Sequence, residues 1–252
     1  METINNGIIA TVRSLRAKKH RDDEGLFVAE GTKCVRDTWH SFKCRWLIAT
    51  RAWYDQCGTA EHYPVLVLAN KGQMARISQF DTPSDVIAVY ETPTRTVDAA
   101  RVRKGISLML DNVQDPGNLG TIIRLCDWYG ISDIFASPTT VDVWNHKVVQ
   151  ATMGAIGRVQ VHYGDLEAVL DEFDDLPVYG TFLNGENIYS SALDSHGFVV
   201  LGNEGQGIGK AMSARVTRRL TIPSAPTSQS ESLNVSMAAA VVISEFKREQ
   251  LR

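Results

Sequence analysis

A chain of 252 residues exceeds the usual size of one domain, so one large or two modest domains are expected, and two is the preferred reading. A composition ordinary for a globular protein, with a formal net charge of −3, excludes global attraction to nucleic acid and leaves local patches as the route to any such partner. Cys34, Cys44, Cys57 and Cys126 lack both the paired spacing of a zinc site and the density of a secreted disulfide scaffold, so reduced thiols and no metal are expected.

The N-terminus, Met1-Glu2-Thr3-Ile4-Asn5-Asn6, has no basic segment followed by an apolar stretch, and no apolar run approaches membrane-spanning length. A cytoplasmic protein without a membrane partner is expected. Residues 8–21 open with Ile8, Ile9, Val12 and Leu15 at helical spacing and end in Arg16-Ala17-Lys18-Lys19-His20-Arg21, which reads as one amphipathic helix with a basic end. With Arg13, the cations Arg16, Lys18, Lys19 and Arg21 form the densest basic segment of the chain and are candidate nucleic-acid contacts. The simpler reading of this feature alone is a solvated helix terminus with cations at the negative end of the dipole. A strand over 26–31, a helix over 32–42 and strands over 46–49, 65–69 and 85–90 complete a small α/β unit. Residues 91–97 are poor in large apolar side chains and include Pro93, so the division expected is 1–92, a linker at 93–104, and 105–252.

From Gly105 on, strands over 106–110, 134–136, 178–183, 198–202 and 220–222 alternate with helices over 119–129, 144–154, 166–173 and 233–247. Such alternation implies an α/β fold with a mostly parallel sheet covered on both faces. Asp171, Glu172, Asp174 and Asp175 read as a solvated helix face, and His146, between Asn145 and Lys147, as a surface histidine that could touch RNA.

Three polar islands interrupt this pattern. The first, Asp111-Asn112-Val113-Gln114-Asp115-Pro116-Gly117-Asn118-Leu119-Gly120, turns from a buried strand into a helix carrying Arg124 among apolar neighbours. A buried guanidinium needs a partner, and a structural ion pair with Asp111, Asp115 or Asp127 competes evenly with a functional role. The second, Gly202-Asn203-Glu204-Gly205-Gln206-Gly207-Ile208-Gly209, is glycine-dense, which lets backbone amides approach a ligand; a branched side chain at Gly202 is expected to weaken ligand binding without unfolding the protein. A phosphate-binding P-loop would need Gly where Glu204 stands and Ser or Thr where Ala211 stands, and a dinucleotide fingerprint would need its glycines directly after the strand. In the third, Ile222-Pro223 closes a strand and Ser232-Leu233-Asn234 opens an apolar helix that Ser232 or Asn234 would cap.

These three islands in order resemble the signature motifs of the SpoU (TrmH) branch of the knotted SPOUT methyltransferases, over essentially the whole of 105–252. The N-terminal order of elements resembles that branch's substrate-binding domain, best at 18–21 and 27–31. The resemblance implies a C-terminal parallel-sheet domain with a trefoil knot, S-adenosylmethionine as cofactor, a homodimer, and methyl transfer to an RNA ribose 2′-hydroxyl. It assigns Asn118, Arg124, Glu204, Ser232 and Asn234 to the active site and Gly202, Ile222 and Leu233 to the cofactor. Many relatives have a shorter path from Ile-Pro to Ser-Leu-Asn than the 224–231 stretch here, so the cofactor loop is expected to differ in shape. The islands contain no histidine or paired carboxylate to remove a proton, and for so basic a group as arginine phosphate binding and electrostatic activation are preferred over a general-base role. Ribosomal RNA is the favoured substrate by analogy with the two-domain layout. The alternatives are transfer RNA as substrate, a noncatalytic RNA-binding or ribosome-assembly factor, and a nucleotide-binding enzyme using the loop from Gly205 to Gly209.

Overall fold

The computed structural model describes residues 2–57 and 65–248. They form two compact units, one comprising the chain up to Thr94 with Asp142–Gly157, the other Arg95–Val141 with the chain from Arg158. The first runs β1 (Glu2–Thr3), α1 (Asn6–Ser14), α2 (Lys18–Glu24), β2 (Leu26–Glu30), α3 (Thr32–Thr38), β3 (Cys44–Ala49), α4 (Arg51–Cys57), β4 (Leu66–Leu68), α5 (Lys71–Ile77) and β5 (Val86–Glu91). Its sheet has the order β1-β4-β3-β5-β2, with β5 antiparallel to both neighbours. Val12 and Leu15 of the N-terminal segment pack into a core with Ile48, Ile77, Ile87 and Val89.

The single helix expected over 8–21 is instead two, α1 and α2, and Arg21 accounts for the break. Its Nη1 donates to the carbonyls of Leu15 at 2.8 Å and Arg16 at 2.9 Å, satisfying groups at the end of α1 that helical continuation would have used. Its Nη2 meets Asp142 Oδ2 at 2.6 Å, with side-chain exposures of 4% and 9%. Arg21 is therefore an internal brace rather than a surface cation. Arg21→Ala should cost about 3–5 kcal/mol, because it strands a buried carboxylate. An exposed pair such as Lys18–Asp22 contributes only about 0–1 kcal/mol. Urea denaturation reads the difference, and a midpoint equal to that of Lys18→Ala would contradict it.

The second unit runs α6 (Ala99–Lys104), β6 (Ile106–Leu110), α7 (Pro116–Trp128), β7 (Asp133–Ala136), then, after α8 (His146–Ala151) of the first unit, β8 (Gln160–Tyr163), α9 (Leu166–Glu172), β9 (Val178–Asn187), β10 (Gly197–Leu201), α10 (Lys210–Arg215), β11 (Arg218–Thr221) and α11 (Val235–Lys247). Its six strands, in the order β11-β9-β10-β6-β7-β8, pair in parallel throughout. Every residue of β6, β7 and β10 is buried, as parallel strands covered on both faces require. Because the strands are parallel, the loops after β6, β10 and β11 all leave from one edge of the sheet. Residues 181–185 of β9 bulge out between two registers with β11, and Thr221 Oγ1 donates to the Leu183 carbonyl at 3.1 Å. Within the stretch expected as linker, α6 is ordered by burial of Val102 and by Arg101, which grips Asp133 at 2.6 Å.

Asp142–Gly157 is anchored in the first unit by Arg21 and by Trp144, whose ring lies 4.4 Å from that of Phe27 and 5.9 Å from that of Phe42. The approach is close: a Cβ at Gly157 would sit 2.2 Å from Ser41 Oγ. All four cysteines are free, and burial pushes the thiols of Cys34 and Cys44 up to about 12. The acidic cluster takes part in ion pairs, Asp171 with Arg215 at 2.7 Å and Asp175 with Arg103. Among the described residues, no helix is long and apolar enough to cross a membrane.

Candidate active site

The three islands meet at one side chain. Asp115 caps α7 by accepting from the Asn118 backbone N–H at 2.8 Å, which fixes Asn118 in the first turn, where it is 9% exposed. Asn118 Nδ2 donates to Glu204 Oε1 at 2.7 Å, and Asn118 Oδ1 accepts from Asn234 Nδ2 at 2.9 Å. Asn234 Oδ1 in turn accepts from Ser236 N and Ser236 Oγ, at 2.9 and 2.6 Å, as the cap of α11. The direction of this chain follows from its helix end: the backbone N–H of Ser236 can only donate, so Asn234 Oδ1 accepts and its Nδ2 donates onward to Asn118, whose own Nδ2 donates to Glu204. Both amides are thereby oriented without ambiguity, and one short relay ties the β6, β10 and β11 loops together.

Arg124 departs from its expected setting. It is exposed, on a stripe of α7 with Gly117, Thr121 and Trp128, and it forms no ion pair among the described residues. All three acids that could have neutralised it are engaged elsewhere. Asp111 Oδ2 accepts from Gly209 N at 2.7 Å, Asp115 caps α7, and Asp127 receives Arg158 at 2.7 Å. The structural ion pair weighed against a functional role is therefore absent among these residues, and the guanidinium is available to an anionic ligand.

Residues 105–244 match the SpoU rRNA Methylase family, more than half of the chain. The chain belongs to the SpoU family. Residues 6–88 match the MRM3-like substrate binding domain. The 23S rRNA (guanosine(2553)-2′-O)-methyltransferase RlmP of Bacillus subtilis is 27% identical over 249 residues, covering 96% of this chain and 97% of that protein. A TrmH-family protein from Porphyromonas gingivalis, solved as a candidate RNA methyltransferase, superposes with a TM-score of 0.88 at 38% identity over 98% of this chain and 99% of its own. An AdoMet-bound rRNA methyltransferase from Sinorhizobium meliloti gives a TM-score of 0.84 at 26% identity over 100% and 98%.

Of the residues that SpoU resemblance singled out, Asn118, Glu204 and Asn234 are joined directly. Ser232 is exposed and makes no hydrogen bond among the described residues, so the capping role left open between it and Asn234 falls to Asn234. Leu233 is 51% exposed beside Asn234, and the half-buried Ile222 follows the last residue of β11. Sequence reasoning missed the frame around them. Asn203 Nδ2 donates to the Asn112 carbonyl at 2.9 Å, and Asn203 Oδ1 accepts from Gly205 N at 2.9 Å. Asn112, at φ 62°, is held in the left-handed region that asparagine tolerates, its N–H donating to Ser137 Oγ at 2.9 Å. The signal was present in the Asp-Asn and Gly-Asn-Glu pairs at two strand ends, but sequence alone does not pair one loop with the other.

At Gly202 the structure adds a packing constraint. A Cβ there would lie 2.2 Å from the Gly207 backbone carbon, so the closest approach is of the SpoU loop to itself. Even Gly202→Ala should therefore lower thermal stability and any cofactor affinity together, the first by several degrees for a loss of roughly 1–3 kcal/mol. Differential scanning fluorimetry with and without S-adenosylmethionine checks this. An alanine variant with native melting and selectively lost binding would restore the ligand-contact reading.

Proposed function

We propose that the protein transfers the methyl group of S-adenosylmethionine to a ribose 2′-hydroxyl of ribosomal RNA, as a cytoplasmic homodimer with its RNA-binding part in 1–92, a linker at 93–104 and its catalytic part, knotted as in the family, in 105–252. The observation that carries this reading is the Asn118 relay, which brings polar groups of three separate motifs to one edge of a parallel sheet. Membership of the SpoU family and the rRNA specificity named for RlmP support it.

The surroundings fit the cofactor. Large apolar side chains stand exposed at this edge, Leu183 at 78% and Leu233 at 51%, beside amide and hydroxyl groups of Asn234 and Thr221, a mixed surface suited to a nucleoside bearing an aliphatic arm. Gly202, Ile222 and Leu233 would hold it, and when bound it supplies the electrophilic sulfonium methyl. The chain's own part is positioning and charge. Arg124 offers a planar, unneutralised guanidinium to the RNA, where it binds phosphate and stabilises negative charge developing on the ribose oxygen. Asn118, fixed at both ends of its amide, orients ribose or guanidinium with Glu204, Ser232 and Asn234 around it. The exposed Trp128 and Met237 support a second copy covering this side of the catalytic unit.

Mapping 2′-O-methylation in the RNA of a strain lacking the gene tests the proposal. The expected result is loss of one ribosomal site, restored by the wild-type gene and not by Arg124→Ala. A site lost from transfer RNA instead would replace the substrate, and an unchanged map would favour a noncatalytic assembly factor.

A further inference from the structure

His146 and Lys147 lie within the SpoU methylase match, yet they belong to the first unit, the one that carries the basic N-terminal segment. The Arg21–Asp142 pair and the packing of Trp144 on Phe27 hold the start of α8 there. His146 consequently packs edge-on against Phe80, ring centroids 5.5 Å apart. Arg16 reaches the same place, its guanidinium donating to the Ser78 carbonyl.

The buried carboxylate of Glu30 nearby is engaged by neutral donors, accepting from Ser78 Oγ at 2.5 Å and from the Gln79 N–H at 2.9 Å. Asp142 answers Arg21, but Arg16 and Lys147 have no carboxylate partner among the described residues. Burial first, then the positive charges of Lys147, Arg21 and Arg16, hold the His146 imidazole below its usual range. Two polar atoms are also buried without a hydrogen-bond partner, His146 Nδ1 and Nε2 of Gln79, the residue before Phe80. Clustered cations and unsatisfied polar atoms both weaken a fold taken alone, so this grouping is better explained by a ligand than by packing. A phosphodiester has the matching chemistry: one negative charge and two free oxygens, shared between an arginine fork and a lysine.

We infer that Arg16, His146 and Lys147, beside Phe80, form a subsite for the phosphate backbone of the substrate RNA. This rests on the RNA-directed reading above, and it gives a segment of the methylase match a role in RNA binding. The site is distinct from the 18–21 run, of which Arg21 is internal and Lys18 is paired with Asp22.

Lys147 decides the matter, because its exposed amine makes no bond whose loss would unfold the unit, whereas Arg16 also ties down Ser78. Full-length wild type, Lys147→Ala, Lys147→Glu and Arg16→Ala are titrated against protein-free ribosomal RNA by filter binding at several salt concentrations, with thermal melting as the check on folding. The expected result is a log–log salt slope shallower by about 0.7–0.9 for each alanine substitution, and weaker binding still for Lys147→Glu. Wild-type affinity and slope in both Lys147 variants would overturn the subsite while leaving the RNA reading intact. A wild-type protein that fails to bind ribosomal RNA would overturn both.

Discussion

Arg124→Lys and Arg124→Ala are both expected to lose methyl transfer by roughly 10²–10⁴-fold, the range for a positioned group acting on the reacting centre. Neither should change the melting temperature, because Arg124 is exposed and makes no ion pair among the described residues. The lysine variant is the sharper of the two. It keeps the charge but replaces a rigid, planar set of donors with a single mobile ammonium, so it separates geometry from charge. Methyl transfer followed under single-turnover conditions, with cofactor affinity from calorimetry, reads the effect. Near-normal turnover in Arg124→Lys would reject the planar role, and lost cofactor affinity would move Arg124 from the RNA side of the site to the cofactor side.

The second large effect is expected at Asn118. Asn118→Asp is nearly isosteric, yet it places a carboxylate where Asn118 Nδ2 now donates to Glu204 at 2.7 Å. Two like charges at hydrogen-bond distance, one of them on the buried residue 118, cannot both ionise freely, so the pair should take up a proton with a raised apparent pKa. The sign follows directly. Above that pKa both groups are charged, the relay is broken, and stability falls by about 1–3 kcal/mol. Below it, the protonated member again donates a hydrogen bond, and the deficit relative to wild type shrinks. Transfer should drop by roughly 10²-fold at neutral pH through misplacement of the site, with partial recovery toward acid pH. A pH-independent deficit would show that Asn118 does not act through Glu204. Asn118→Ala, which cannot share a proton, should show no such recovery.

Much of the fold was legible because its strands are short buried runs between helical repeats; those over 106–110 and 26–30 appear nearly as expected. What escaped was poor in apolar signal. Gln160-Val161-His162-Tyr163 has one aliphatic residue, and it becomes β8 by pairing beside β7 with His162 Nε2 at 2.9 Å from Asp133. The break between α1 and α2 depends on Asp142, 121 residues from Arg21, a contact no local pattern reports. The candidate site divides in the same way. Residue types at strand ends marked Asn118, Glu204 and Asn234, whereas the link between them is tertiary. Arg124, by contrast, looked buried because its neighbours Ile122, Ile123 and Cys126 are apolar, but they cover the opposite face of α7.

The most direct measurement is a transfer reaction with purified protein, S-adenosylmethionine carrying a labelled methyl group, and ribosomal RNA from a strain lacking the gene, followed by digestion to nucleosides and mass spectrometry. The expected label is on a single 2′-O-methylated nucleoside, absent with Arg124→Lys. Label on a base, or an intact S-adenosylmethionine complex that methylates no ribose, would contradict the assignment of this site to ribose methyl transfer.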